Sequence, residues 1–397
     1  MDPVLRSLEE LVEWLDHNGI AGWDPYDALG HPLLRACSRR AQVGGPGLRY
    51  WELALAKANQ HPMLTRRLLG IRPQINAKAV GLLLSGWLRA LPLGFSGTND
   101  QAHLLAGWLA DHAIRDYPGA SWGYPFDWQS RVFIPKGTPS SVVTATCGQA
   151  LLDYADRTGD KNARHLAHDA ALFISEGLGR YEAPNGGICF SYTPLDSFQV
   201  HNASLMAAEY LLRAGSSAER DDWIILATRA LQFTTSEQQD DGSFEYWANS
   251  QMNGSQIDHY HTGFVLRSLL AFSQFGNPTA AEALDRGWRF YRDQLFATDG
   301  RPLNRPNKHF PLDIHSCAEA ILCPATLSQR YGAEAIALSE SAARWTAAHM
   351  QNLDGSFAYR LNGDHLDRTP YLRWGQAWMF RALTELLGPG LEHGRSV

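Results

Sequence analysis

Gln239-Asp240-Asp241-Gly242-Ser243-Phe244 and Gln351-Asn352-Leu353-Asp354-Gly355-Ser356-Phe357 are the two stretches that decide how this chain is to be read. Both place an Asp-Gly-Ser turn just before an aromatic residue. The turn recurs more loosely as Asn185-Gly186-Gly187-Ile188-Cys189-Phe190 and as Asp299-Gly300-Arg301-Pro302, with a divergent member at Trp122-Gly123-Tyr124-Pro125-Phe126. Glycines 186, 242, 300 and 355 are 56, 58 and 55 residues apart. Self-similarity at a fixed period marks a repeat architecture.

Working outward from the turns, each period holds an amphipathic helical stretch, the turn, a loop and an apolar helical stretch. The amphipathic stretches lie near 161–178, 218–238, 279–296 and 333–350, and the apolar ones near 140–155, 200–214, 259–275, 313–330 and 371–387. Residues 79–88 are apolar nearly all round, as a buried helix is. One unit cannot bury its apolar helix alone, so copies must stack around a shared core. Strand-like alternation is almost absent. The pattern predicts an all-α chain folded as an α/α toroid of about six helical hairpins, amphipathic helices outside and apolar helices inside. The period is long for TPR or HEAT repeats, and the surplus sits in aromatic loops, which favours a closed ring over an open solenoid. Residues 1–397 are read as one such domain, with 1–75, which fit the period poorly, capping or completing the ring.

Composition narrows the function. A net charge of −6 over 397 residues gives no basic footprint for nucleic acid. No apolar run of membrane-spanning length appears, and the first residues lack the pattern of a signal peptide, so a cytoplasmic protein with no membrane span is expected. Five scattered cysteines without a CxxC suit buried free thiols. Neither a phosphate-binding glycine loop nor a GxSxG elbow is present. Oligomeric state is not legible.

The loops feed the starts of the apolar helices, where polar and aromatic residues concentrate: Asp127-Trp128-Gln129-Ser130-Arg131, Gln199-Val200-His201-Asn202, Asp258-His259-Tyr260-His261, Asp313-Ile314-His315 and Tyr371-Leu372-Arg373-Trp374. Aspartate is a favoured helix N-cap, so each of these carboxylates is either a cap or an acid. His259 and His261 diverge on a helix, so only one faces the ring mouth. His201, His261 and His315 occupy similar places in successive repeats and are candidate acid–base groups. Two of Asp127, Asp258 and Asp313 would serve a glycoside hydrolase as acid and base. In a uronate lyase or epimerase, His261 or Tyr260 would remove the proton, Arg131 or Arg373 would neutralise the sugar carboxylate, and His201 or Asn202 would assist. Tyr124, Trp128, Tyr246, Tyr359, Tyr371 and Trp374 offer aromatic faces with polar tips, suited to sugar rings. HExxH is absent and the three histidines come from separate repeats, so no metal and no cofactor is expected. The expected partner is a glycan.

The two opening stretches resemble the QW-type repeats of terpene cyclases and protein prenyltransferases, with Phe in place of Trp. That likeness also implies a toroid, but the aspartate-rich DxDD and DDxxD motifs of the cyclases are missing, leaving terpene cyclisation as an alternative. A longer resemblance is to bacterial α/α-toroid proteins associated with exopolysaccharide and surface-polysaccharide gene clusters. It rests on residues 22–27 (Gly-Trp-Asp-Pro-Tyr-Asp), 121–129, 135–139, 257–264, 313–316 and 370–378. Residues 72–78, Arg-Pro-Gln-Ile-Asn-Ala-Lys, depart from the Lys-Gly-x-Asn-Pro-Lys pattern expected there. The resemblance implies a glycan substrate; a non-catalytic glycan-binding role in polysaccharide assembly is the remaining alternative.

Overall fold

A computed structural model describes residues 2–43, 50 and 62–388. Its helices, in chain order, are α1 (Pro3–Asn18), α2 (Pro32–Val43), α3 (Pro62–Leu68), α4 (Ala77–Ala90), α5 (Thr98–Asp111), α6 (Ser141–Thr158), α7 (Lys161–Leu172), α8 (His201–Ala218), α9 (Asp221–Ser236), α10 (His259–Gln274), α11 (Pro278–Gln294), α12 (Ile314–Tyr331), α13 (Ala333–Met350) and α14 (Ala377–Leu387). Helices α4, α6, α8, α10, α12 and α14 each pack on the next, and α14 returns to α4, closing a six-membered ring. Helices α5, α7, α9, α11 and α13 each pack on the ring helix before them. Helix α1 packs on α14 and α13. The architecture is an all-α α/α toroid.

Side-chain pattern explains the two layers. In α4, twelve of fourteen residues are buried, from Ala77 to Ala90, with Ser85 and Arg89 less so. In α11, burial falls on Ala280, Ala283, Leu284, Gly287, Trp288, Phe290 and Tyr291, one stripe at helical spacing. Connections from ring helix to outer helix are short, whereas those returning to the ring are long. All the long loops therefore gather at one mouth, where the ring helices begin. Among the described residues, no helix is long and apolar enough to cross a membrane.

The repeated turn is the joint of the ring. Asp241 and Asp354 each accept from the backbone N–H and the hydroxyl of the serine two residues on. Gly242 has φ +91° and Gly355 φ +88°, a region open to glycine at little cost. A Cβ on Gly242 would lie 2.4 Å from the Arg286 carbonyl oxygen of α11, and one on Gly355 would lie 2.2 Å from the Glu10 carbonyl oxygen of α1. Each glycine thus lets its turn press on the backbone of the next outer helix. A glutamine ties the joint. Gln238 Nε2 donates to the carbonyls of Gly242 and Ala283, and Gln351 Nε2 to those of Gly355 and Ser7. Helix α1 stands to the fourth repeat's turn as α11 stands to the second's.

Short strands brace the mouth: β1 (Ala21–Gly22), β2 (Gln74–Ile75), β3 (Trp128–Gln129), β4 (Phe133–Ile134), β5 (Arg180–Glu182), β6 (Ile188–Phe190), β7 (Leu312–Asp313), β8 (Arg360–Asn362) and β9 (His365–Asp367). Pairing of β1 with β2 brings the segment after α1 beside the start of α4. Pairing of β7 with β8 sets Asp313 opposite Arg360. Cys147, Cys189, Cys317 and Cys323 are buried free thiols, and Cys37 is half-buried.

Candidate active site

Ring-helix geometry decides which side chains meet. The first residue of a ring helix faces outward: His201 stacks on Phe233 of α9, and His259 packs edge-on to Tyr291 of α11. The second residue, about 100° further round, faces the axis. Lys78, Tyr260 and His315 are the second residues of α4, α10 and α12. His201, His261 and His315, equivalent by repeat, therefore stand at the first, third and second positions of their helices. The N-caps are Val200, Asp258 and Asp313, so the three histidines stand one, three and two residues beyond their caps.

Asp258 caps α10, accepting from the His261 backbone N–H at 2.9 Å. Its other oxygen lies 2.6 Å from His261 Nδ1. A carboxylate here is an acceptor, which assigns the proton to Nδ1 and the lone pair to Nε2. No protein group is hydrogen-bonded to Nε2 among the described residues. Tyr246 and Tyr260 flank the imidazole at ring distances of 4.4 and 4.2 Å. Tyr260 stacks in turn on His315 at 4.6 Å, and burial with nearby Asp258 pushes its phenol well up, so it stays protonated.

His315 is buried against Trp374 (4.5 Å) and Trp378 (4.9 Å). Both of its ring nitrogens are buried without a hydrogen-bond partner among the described residues. Burial, reinforced by Lys78 and Arg373, holds it well below the usual imidazole range, so it is neutral. Asp313, the cap of α12, accepts from the His315 backbone at 3.0 Å, from Trp374 Nε1 at 2.6 Å and from Arg360 Nη2 at 3.0 Å. Burial raises its pKa, with Arg360 opposing.

Arg373 is buried between the rings of Trp374, Tyr124 and Tyr26. Its guanidinium grips both oxygens of Asp24, one at 2.8 Å. Tyr124 approaches Tyr192 hydroxyl to hydroxyl at 3.5 Å, and Trp128 packs on both. These contacts run continuously from Tyr246 through His261, Tyr260, His315, Trp374 and Arg373 to Tyr124 and Trp128.

Several sequence candidates lie off this line. Asp127 accepts from Arg35 at 2.9 Å and from the Lys136 backbone at 2.9 Å, in a mouth loop. His201 points outward to Glu237 at 3.0 Å. Arg131 is exposed and lies over Trp247. Tyr371 packs between Arg66 and Tyr359, and Tyr359 accepts from Arg360. Asn202, second in α8, is buried with Oδ1 unpartnered among the described residues. Two participants lie in stretches the sequence analysis quotes but were not among its candidate site residues: Asp24 and Lys78. The signal for Lys78 was a single lysine opening an otherwise apolar helix. Among the described residues no cluster of three or more His, Cys, Asp or Glu side chains has metal-binding geometry.

No family model matches this chain, and no curated protein matches it. Solved structures do. An unsaturated glucuronyl hydrolase specific for heparin superposes with TM-score 0.65 at 12% identity, over 97% of each chain. Cellobiose 2-epimerase from Bacillus thermoamylovorans gives 0.61 at 11% identity, covering 79% of this chain and 87% of its own. A GH76 α-mannanase from Bacteroides thetaiotaomicron gives 0.60 at 14% identity, covering 78% and 85%. The likeness is one of fold.

Proposed function

We propose that the protein processes glycans by proton transfer at carbon, as a lyase or epimerase, with His261 as the base. The observation behind this is the Asp258–His261 pair, whose Nε2 is left with a lone pair and no protein partner beside Tyr260. Hydrolysis by two carboxylates needs one free acid and one free base. Here Asp258 is spent on His261, Asp313 on Arg360 and Trp374, Asp24 on Arg373 and Asp127 on Arg35. The named activities of the structural neighbours, a sugar epimerase and two glycan hydrolases, support a glycan as the substrate class.

In the forward step His261 Nε2 takes a proton from a carbon next to a carbonyl or carboxylate, leaving the electron pair as an enolate. Asp258 stabilises the imidazolium formed, as a carboxylate behind a catalytic histidine does. In a lyase the electron pair expels the neighbouring glycosidic oxygen, which collects a proton from the Tyr260 phenol. In an epimerase the enolate takes a proton from solvent water on the opposite face of the same carbon, and the His261 imidazolium returns its proton to the hydroxide so formed. Purified protein should be offered uronate-containing and neutral glycans in D₂O, following the ultraviolet absorbance of unsaturated uronate, new reducing ends and deuterium. Absorbance with new ends marks the lyase, and deuterium without cleavage the epimerase. New reducing ends with neither signal would establish hydrolysis and end this reading.

A further inference from the structure

Below His261, at the floor of the mouth, three polar atoms have no partner among the described residues. Lys78 reaches from α4 to the rings of Phe264 (5.8 Å) on α10 and Trp378 (5.2 Å) on α14. It is 4% exposed, and no carboxylate of the described residues forms an ion pair with it. His315, against the same Trp378 and Phe264, contributes the other two, its unpartnered Nδ1 and Nε2. Leaving a buried polar group unmatched costs about 1–3 kcal/mol, more for a charge, so such groups are rare without a purpose.

Their chemistry specifies a ligand. The other cations around the floor are neutralised in place: Arg373 by Asp24, Arg267 by Glu319, Arg360 by Asp313. Among the described residues Lys78 alone is left there, so the missing charge is a single negative one, as a carboxylate supplies and a dianionic phosphate exceeds. Neutral imidazole offers one donor and one acceptor, which is what sugar hydroxyls pair with. The rings of Tyr260, Trp374 and Trp378 pack around it.

We propose that the floor of the ring is a subsite for a sugar acid, in which Lys78 receives the carboxylate and His315 the hydroxyls. This rests on the glycan reading above and names its substrate class: an anionic, uronate-type residue. It moves the carboxylate from Arg131 or Arg373, the sequence candidates, to a cation with nothing else to hold.

The amine itself supplies a test. Burial brings it down to about 7, with Arg373 and Arg267 adding to the fall and Asp24 and Glu319 resisting it; His315 faces it as a neutral group. A carboxylate arriving there restores the full charge, so binding near pH 7 takes up about half a proton. Calorimetry of D-glucuronate and D-galacturonate, in buffers of different ionisation heat, should show this uptake in the wild-type protein. D-glucose should show none. Lys78→Met should abolish the uptake and weaken uronate at least about tenfold. Three results would each overturn the proposal: no uronate binding, uptake that survives Lys78→Met, or acetate binding as tightly as glucuronate. Binding does not need turnover. His261→Ala should keep the uptake while losing deuterium exchange, so failure of the base assignment and failure of the subsite are told apart.

Discussion

Asp258 and Asp127 show how differently two aspartates of the same sequence standing can be used. Both open a loop-to-helix segment rich in aromatic residues, and only the three-dimensional neighbours separate them. Asp258→Asn would present an amide to His261 and disturb the tautomer that leaves Nε2 free; a loss of about 10²–10⁴ in deuterium exchange is expected. Asp127→Asn removes a partly exposed ion pair with Arg35, for which ~1 kcal/mol or less of stability and unchanged exchange are expected, read by urea denaturation and the same assay. Lys78 gives a second, opposite prediction. Its folded pKa of about 7 lies below its ordinary 10.5, so between these values the unfolded chain holds a proton that the native one has released. Stability contributed through this group therefore rises as pH climbs from 7 towards 10, and its cost is fully present below pH 7. Lys78→Met should raise stability at pH 7 by ~2–4 kcal/mol, an advantage that shrinks as pH climbs towards 9 because only the wild type titrates there, measured by denaturation from pH 6 to 9. His315, held neutral by burial, works on the acid side: its contribution fades as pH falls through 6.5.

At the level of the element, the repeated turn was the most legible feature of the chain, because Asp-Gly-Ser-Phe is local chemistry. The aspartate closes on the serine, the glycine takes the left-handed backbone, and Phe244 or Phe357 is buried behind it. What the turn touches was not legible, and the glycines are not equivalent. Gly186 also has positive φ, at 84°, but a Cβ there would meet nothing within 4 Å. Gly186→Ala should cost only the conformational penalty of about 1–2 kcal/mol. Gly355→Ala must in addition push back the Glu10 backbone, and ~3 kcal/mol or more is expected. Chemical denaturation of the pair separates strain from collision. The site was read less well for a related reason. Helix starts could be placed from the loops, but which side chain turns inward depends on its distance from the cap: His201, one residue past Val200, turns outward, and His315, two past Asp313, faces the axis.

For the whole molecule, the closed ring was visible in the period of the repeats, whereas the way residues 3–18 complete it was not, since that helix carries no copy of the repeat. Helix α1 buries Val4, Leu8, Leu11, Val12 and Leu15. At about 1.5–3 kcal/mol for each large apolar side chain, that face is comparable to the entire net stability of an ordinary domain. A chain lacking residues 1–20 should therefore lose its cooperative melting transition and bind a hydrophobic dye, as followed by calorimetry and fluorescence.

The Ser7–Gln351 hydrogen bonds span 344 positions of sequence. On the ribosome, the segment that seals the seam is made 344 residues ahead of the glutamine that docks it. Until α13 and α14 emerge, the apolar stripe of α1 has no native surface to cover, and the growing chain is an unclosed arc with two raw edges. The final closure is a long-range event that local helix formation cannot hasten. This architecture ties the risk of aggregation to the time between the first helix and the last, so slowing elongation late in the message should harm the yield of folded protein more than slowing it early.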